Sequence, residues 1–112
     1  MIEAPAAQIA VSALKALDKK LDVTANNIAN VNTDEFKASR ALFETREGPG
    51  VSVTIVEEDT PSTTQPDGVE SSNVNLAEEL VNLIATQHAY SANTHVIETD
   101  DKMKRSLIDV FA

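Results

Sequence analysis

Apolar residues recur at steps of three and four at both ends of this 112-residue chain, and this spacing constrains the fold most. The first series consists of Ala7, Ala10, Leu14, Leu17, Leu21, Thr24, Ile28 and Val31. The second series consists of Leu76, Leu80, Leu83, Gln87, Tyr90, Thr94 and Ile97. Such steps place residues on one face of an α-helix and form the contact line of a coiled coil. We therefore predict two long helices that pack through these faces, here called the N-terminal and C-terminal seams.

Composition limits the classes of function that such a chain can have. Its length suits one domain with a modest core. The net charge is −9, and residues 38–72 hold much of it, with two arginines and seven acidic residues. Nucleic acid and anionic membrane surfaces are not expected partners, because both require a basic face. The chain has no cysteine for a disulfide or a thiolate metal site, and no apolar run approaches the ~18 residues of a membrane span.

Capping residues predict where the two helices begin and end. Pro5 suits the first turn of the first helix, which we expect to run to about Asn30. Asn75 is a good N-cap for the second helix, and Glu78 completes a capping box. The second helix is expected to run to about Val110.

The apolar stripe of the second helix drifts around its axis after Ile97. It continues best as Val96, Met103, Leu107 and Val110, with Ile108 and Phe111 beside them. Drift of this kind is expected when a straight helix with 3.6 residues per turn departs from a strict seven-residue repeat.

The middle of the chain predicts a β-hairpin followed by a linker. Lys37–Arg46 is a possible strand, Glu47–Gly50 is a turn, and Val51–Val56 alternates like a half-buried strand. Residues 60–68, which follow the acidic run Glu57–Asp59, have turn and linker composition, so we expect them to be exposed and mobile.

These predictions define a mainly α fold, with two long antiparallel terminal helices in a coiled-coil-like pair and a small hairpin between them. Residues 1–37 and 73–112 form one discontinuous helical domain, and residues 38–72 form the hairpin and a flexible linker.

Both terminal segments resemble the bacterial flagellar rod and hook protein family. Residues 13–37 match its N-terminal signature, whose centre is Ala25–Thr33 with the sequence ANNIANVNT. Residues 72–84, with their continuation to Met103, are similar to the second signature. The matching motif residues are Asn26, Asn27, Asn30, Asn32, Thr33, Phe36, Asn73, Val74 and Asn93. The small size and the stretch from Gly50 to Asp59 resemble the short proximal rod proteins.

The chain departs from the family pattern at three places. Glu35 stands where the family commonly has glycine before the phenylalanine of its first signature. His88 stands where the family often has arginine, and the middle segment is shorter than in most rod proteins. These departures bear on the particular member and on its place along the rod.

The resemblance implies a structural role without catalysis. Such proteins leave the cytoplasm unfolded through the flagellar type III apparatus, without a cleaved signal peptide, and polymerise into the axial drive shaft in the periplasmic space. The expected partners are copies of this chain, other rod and axial proteins, and the export apparatus, in a homo- or hetero-oligomer. The start of the chain, Met1–Pro5, lacks a basic region followed by an apolar core, as this route would require.

The residues that we expect to carry assembly are the apolar members of the seams. They are Leu14, Leu17, Leu21, Ile28 and Val31 in the first helix, and Leu80, Leu83, Tyr90 and Ile97 in the second. Other residues have two interpretations. Asn26, Asn27 and Asn30 either end the first helix or fix the register between subunits through interhelical hydrogen bonds. Gln87 and Thr94 are either tolerated polar positions or residues that weaken the seam until the chain meets the growing assembly.

Neither a catalytic site nor a cofactor is predicted. His88 and His95 lie seven residues apart, about 10 Å along a helix, which is too far for one metal ion. The three glycines form no phosphate loop, and no small-molecule substrate is expected. A second class of function, an acidic coiled-coil adaptor or export chaperone, fits the same seams. It would form a discrete complex with a client, whereas a rod subunit would form open-ended contacts.

Overall fold

Two long helices flank a two-stranded hairpin in the computed structural model, which describes residues 6–111. The elements are α1 (Ala6–Ala29), β1 (Ser39–Thr45), β2 (Val51–Glu57) and α2 (Leu76–Phe111). The prediction of a mainly α fold with a central hairpin is confirmed.

The helices pack side by side in opposite directions. Leu17 of α1 lies beside Leu83 and Tyr90 of α2, while Ala6 lies near Val96. At about 1.5 Å per residue, the 24 residues of α1 span roughly 36 Å and the 36 residues of α2 roughly 54 Å. The last turns of α2 therefore extend past the first described residue of α1, and the longest dimension of the molecule is 75 Å.

The observed helix ends agree with their sequence-based predictions to within one residue where the structure describes them. The predicted start near Pro5 lies outside the described residues. Asn75 caps α2, because its Oδ1 accepts a hydrogen bond from the Glu78 backbone N–H at 3.2 Å. In a complete capping box the Glu78 side chain would bond back to the Asn75 N–H. Here the Glu78 carboxylate pairs instead with Arg40 of β1. This side chain therefore ties the hairpin to the start of α2.

The hairpin lies against α1, and its register pairs Thr45 with Val51 next to the turn. Ser12 is buried in α1, and its Oγ accepts a hydrogen bond from the Val51 N–H at 3.2 Å. At the same point Gly50 has a φ of +112°, and a Cβ there would lie 2.7 Å from Ser12 Oγ. The tip of the hairpin can therefore approach the helix only because residue 50 has no side chain.

Residues 58–75 fold back on themselves more than their composition predicted. Thr64 and Glu70 form an isolated antiparallel bridge, and the N–H of Gln65 bonds to the carbonyl of Val69 at 2.8 Å. A bend at Gly68, with a φ of +88°, reverses the chain between them. The mobility expected for residues 60–68 stays a prediction, but these residues follow a hydrogen-bonded path.

The buried core is small and largely polar. Its apolar members among the described residues are Ala10, Ala16, Leu17 and Ala38, and its polar members are Ser12, Thr24, Asn27, Glu79 and Thr86. Small side chains let the helices and the hairpin approach closely. Many of the large apolar side chains consequently lie on the outside, where they are available to other molecules.

Candidate assembly surfaces

The N-terminal seam lies along the contact between α1 and α2. Leu17 is its most buried large residue, with only 4% of its surface exposed. Leu14, Ile28 and Val31 are half-buried, and Leu21 is exposed. Val31 lies just beyond the end of α1. Leu17 and Leu21 therefore lie beside α2, and the assembly role expected of the five residues stays a prediction.

The contact line of α2 differs from the predicted C-terminal seam. The two residues of α2 that are buried are Glu79 and Thr86, spaced by one heptad. Asn93, one heptad further on, is half-buried, as are Leu83 and Ile97. The line of closest contact with α1 therefore includes polar residues.

Three members of the predicted C-terminal seam lie one residue away from this contact line. Leu80 is exposed because Glu79 takes the position against α1, and the same shift exposes Gln87 and Thr94. Leu80, Gln87 and Thr94 repeat at the same spacing of seven residues as Glu79, Thr86 and Asn93, so spacing alone does not distinguish the two lines, and the apolar side chain of Leu80 favoured the first. Tyr90 is also exposed, at the edge of the contact. Leu80 and Tyr90 keep their predicted role in subunit contacts as a hypothesis.

Glu79 is 2% exposed and borders a small polar cavity of about 130 Å³. Lys20 and Arg40 line the same cavity. The cavity lies between the helix pair and β1, and it joins all three elements.

A second apolar surface occupies the last turns of α2. We call Val96, Met103, Leu107 and Val110 the C-terminal stripe. Met103 is 67% exposed and Val110 is 76% exposed. Val96 is the residue before Ile97, and successive residues of an α-helix are turned by about 100°. The stripe is therefore turned about 100° from the line that contacts α1. The drift predicted from the sequence thus produces a surface that α1 leaves largely exposed, although Ala6 lies close to Val96 and Met103.

A groove of about 400 Å³ runs between the two helices. We call it the seam groove, and it is lined by Leu17, Asp18, Leu21, Leu83, Thr86, Gln87, Tyr90 and Ser91. None of these lining residues belongs to the hairpin, which packs on α1 at Ser12 and Ala16. The groove is therefore open on the side of the helix pair away from the hairpin.

Asn27 is the most buried of the motif residues, at 1% exposure. Its Nδ2 donates to the Ser39 carbonyl at 2.9 Å, and its Oδ1 accepts from the Ser39 N–H at 3.0 Å. The side-chain amide thus pairs with the first residue of β1 as a neighbouring strand would. Both of its polar groups bond within the chain, so Asn27 serves the fold of the single chain, and a register bond to another subunit stays a hypothesis.

Asn73 makes a corresponding connection from the other end of the hairpin. Its Oδ1 accepts from the Ala38 N–H at 2.6 Å, and its Nδ2 donates to the carbonyls of Glu58 and Thr60 at 3.1 and 3.0 Å. Asn27 and Asn73 together fix where the hairpin leaves α1 and where the chain returns to α2. The two signatures of the sequence therefore meet at the base of the hairpin.

The remaining motif asparagines and Thr33 form local bonds or face outward. Asn30 donates from Nδ2 to the Asn26 carbonyl at 2.8 Å, and Thr33 Oγ1 donates to Asn30 Oδ1 at 2.9 Å. These bonds close the end of α1, as the helix-end interpretation predicted. Asn32 is exposed, and Asn93 donates to the Ala89 carbonyl at 2.9 Å.

Phe36 and Val74 are half-buried beside the base of the hairpin. The Phe36 carbonyl accepts from the Asn73 N–H at 3.2 Å, and the Val74 N–H bonds to Ser72 Oγ at 3.2 Å. The Phe36 bond therefore joins the two terminal segments within one chain, whereas the Val74 bond is local.

Arg40 is the centre of an ion-pair network that the sequence did not reveal. Its guanidinium pairs with Glu58, which follows β2, and with Glu78 in the first turn of α2. Partial burial lowers the pKa of Arg40, but the hydrogen bonds and negative charges of Glu58 and Glu78 outweigh it and raise the pKa above its usual value. Arg40 is thus a permanent cation that joins the hairpin to α2.

The described residues contain no group of three or more His, Cys, Asp and Glu side chains that could hold a metal ion. His95 Nδ1 lies 3.6 Å from the Glu98 carboxylate, and His88 and His95 are both exposed. Neither described helix is long and apolar enough to cross a lipid bilayer.

An elongated helix pair with apolar surfaces at its end and along its side is typical of a structural protein rather than of a catalyst. Comparisons with known proteins identify the family. Residues 8–37 match the family model described as "Flagella basal body rod protein". Residues 66–110 match the model described as "Flagellar basal body rod FlgEFG protein C-terminal".

Individual relatives agree with these family matches. The flagellar basal-body rod protein FlgC of Borreliella burgdorferi is 30% identical, over 91% of this chain and 93% of the relative. FlgC of Salmonella typhimurium is 27% identical, over 85% and 87%. FlgG of Buchnera aphidicola is 59% identical, but only over 35% of this chain and 15% of the relative. The chain belongs to the flagellar basal-body rod protein family and is FlgC-like.

Proposed function

We propose that this protein, a structural subunit of the flagellar basal-body rod, joins the rod through apolar surfaces on its two terminal helices. Family membership supports the structural role, and the exposed C-terminal stripe supports the route of assembly. Exposure of Met103, Leu107 and Val110 on one side of a single helix is the observation that carries the proposal. An unpartnered apolar stripe of this kind gains free energy when a partner removes it from water.

The partners that we propose are copies of this chain and other rod and axial proteins of the flagellum. The rod and hook proteins among its relatives support this choice. Contacts between different surfaces of successive subunits would build an open assembly, as a rod requires. The role is mechanical, and no catalytic step forms part of the proposal.

We further propose that the subunit functions in the periplasmic part of the basal body and arrives through the flagellar export apparatus without cleavage. The family resemblance supports this route. The intact mass of the protein recovered from purified basal bodies tests it. A mass that matches the uncut sequence supports export without cleavage, and a mass that lacks an N-terminal segment contradicts it.

Complementation of a deletion strain tests the structural role. The wild-type gene is expected to restore swimming in soft agar and complete rods in electron micrographs of isolated basal bodies. Leu107→Asp is expected to restore neither, because it places a charge within the C-terminal stripe. Arg105→Gln is the matched control, since it lowers the net charge by the same one unit two positions away and should restore both.

The deletion strain itself separates the possible results. If cells without the gene swim normally and build complete rods, the protein is not a rod subunit. If the deletion abolishes rods but Leu107→Asp restores them, the structural role stands and the proposed surface is wrong. Immunoblots must show equal amounts of each variant, so that degradation does not mimic loss of assembly.

A further inference from the structure

The apolar surface of α2 faces two directions, and each direction requires its own partner. Leu83 and Ile97 face α1 within the chain, whereas Met103 and Leu107 lie on a face turned about 100° away. One straight helix cannot bury both faces against α1. The second face therefore needs an occupant from elsewhere.

The seam groove offers a concave surface of matching chemistry on the same molecule. Leu17, Leu21 and Tyr90 give it an apolar floor and edge, and its volume of about 400 Å³ can hold several aliphatic side chains. It lies on the side of the helix pair that the hairpin leaves open. A single chain thus carries both a protruding apolar stripe and a groove that could receive it.

Charge also matches between the two surfaces. Asp18 borders the seam groove, and Lys102 borders the C-terminal stripe next to Met103. Among the residues that the structure describes, neither takes part in an ion pair within 4.0 Å, although Lys104 and Arg105 pair with Asp100 and Asp101. An incoming α2 parallel to α1 would place Lys102 near Asp18 as Leu107 enters beside Leu21.

We propose that the C-terminal stripe of one copy docks in the seam groove of a second copy, with Lys102 facing Asp18. This inference rests on the proposed function, and it assigns the two surfaces that meet. Because the surfaces differ, the contact is heterologous and leaves a free stripe at one end and a free groove at the other. Repeating it produces an open chain of subunits.

Cysteine cross-linking tests the contact directly, because the sequence has no cysteine of its own. The probe is the full chain with Leu21→Cys in the groove and Leu107→Cys in the stripe, exposed to a mild oxidant after assembly. Leu21 lies level with Leu83, and residue 107 is 24 positions further along α2, roughly 36 Å away. A disulfide needs Cα atoms within about 7 Å, so these cysteines can join only different copies.

The expected result is a ladder of dimers, trimers and longer products in non-reducing gels for the double variant. Each single variant should remain uncross-linked, and a mixture of the two single variants should stop at the dimer. In parallel, Lys102→Asp should weaken association several-fold in sedimentation velocity. Adding Asp18→Lys to Lys102→Asp should recover it.

Two results would overturn the docking proposal while leaving the rod role intact. Dimers from Leu107→Cys alone would show that two stripes pair with each other. Assembled protein that gives no cross-link would show that another occupant covers the stripe, such as another rod protein or the first five residues of the chain. Failure of the wild-type chain to assemble alone or with other rod proteins would instead count against the proposed function, and the docking proposal would fall with it.

Discussion

The base of the hairpin and the far end of α2 use their side chains in opposite ways. At the base, Asn27 and Asn73 pair with backbone groups of the same chain, and Arg40 pairs with two carboxylates. At the far end of α2, Phe111 is 80% exposed and Val110 is 76% exposed. The first region completes its contacts within one chain, whereas the second leaves them for a partner.

This difference separates the residues that stabilise the fold from those that stabilise the assembly. Most of the stability of a helix comes from burial of its apolar face, so the last turns of α2 gain little from the isolated chain. Substitutions near the hairpin should therefore change the free energy of unfolding. Substitutions in the C-terminal stripe should change association and leave unfolding almost unaffected.

Of the substitutions considered, Leu17→Asp is expected to lower the free energy of unfolding most. Leu17 is buried between the helices, so the variant loses at least the ~2–5 kcal/mol typical of truncating a buried leucine and adds the burial of a charge. Urea unfolding followed by circular dichroism measures the change. Leu107→Asp is the matched control and should stay within about 0.5 kcal/mol of wild type, because Leu107 is exposed. Equal unfolding curves for the two variants would contradict the separation of residues that stabilise the fold from residues that stabilise the assembly.

Asn27→Ala should have the next largest effect. The substitution removes the buried amide that bonds to both the N–H and the carbonyl of Ser39. Each backbone group left without a partner costs about 1–3 kcal/mol. Asn32→Ala removes an exposed asparagine of the same motif and should change stability by less than about 0.5 kcal/mol. Thermal unfolding of both variants checks this. A wild-type melting temperature for Asn27→Ala would show that its two hydrogen bonds contribute little.

Gly50→Ala tests the contact between the hairpin tip and α1. The new Cβ meets Ser12 Oγ at 2.7 Å and the backbone keeps a φ of +112°, so we expect a loss of about 2–3 kcal/mol. Gly48→Ala is the control: its φ is +93° but its Cβ would meet open space, so it should lose only about 1 kcal/mol. Chemical denaturation of both variants measures the difference. Identical losses would assign the whole effect to backbone conformation.

Sequence reasoning predicted the elements because their signals are local. Helical spacing, the Asn75 cap and the alternation around Val53 each describe a few neighbouring residues, and the structure agrees with them. The drift of the apolar stripe after Ile97 was likewise visible in the sequence. It placed Met103 and Leu107 on the surface that α1 leaves largely exposed.

Long-range contacts were beyond the reach of that reasoning. Nothing near Arg40 in the sequence indicates Glu58 or Glu78 as its partners, because the hairpin and the start of α2 bring them together. The contact position of Glu79 is not evident from the sequence, because Leu80 is apolar and residues 80, 87 and 94 have the same heptad spacing as 79, 86 and 93. The side chain of Asn27 could be assigned to the end of a helix, but its pairing with Ser39 required the path of the chain.

Glu35 connects a departure in the sequence to a measurable property. Its φ is +62°, a left-handed conformation that disfavours side chains, and this is the position where the family commonly has glycine. The strain of roughly 1–2 kcal/mol exceeds the added chain entropy of glycine in the unfolded state, about 0.4–1 kcal/mol. Glu35→Gly should therefore raise the stability by roughly 0.5–1 kcal/mol, the smallest effect of the series.

Two controls make the Glu35→Gly measurement decisive. Asn32→Gly places glycine in the preceding turn at a residue without a positive φ, so it should lower the stability by a few tenths of a kcal/mol to about 1 kcal/mol. Association should not change in either variant, because Glu35 lies at the base of the hairpin, where its N–H bonds to the Glu70 carbonyl at 2.7 Å. A loss of stability in Glu35→Gly would mean that the Glu35 side chain contributes more than its backbone strain removes. A change in association would mean that the base of the hairpin also takes part in assembly, and the two regions would then no longer be separate.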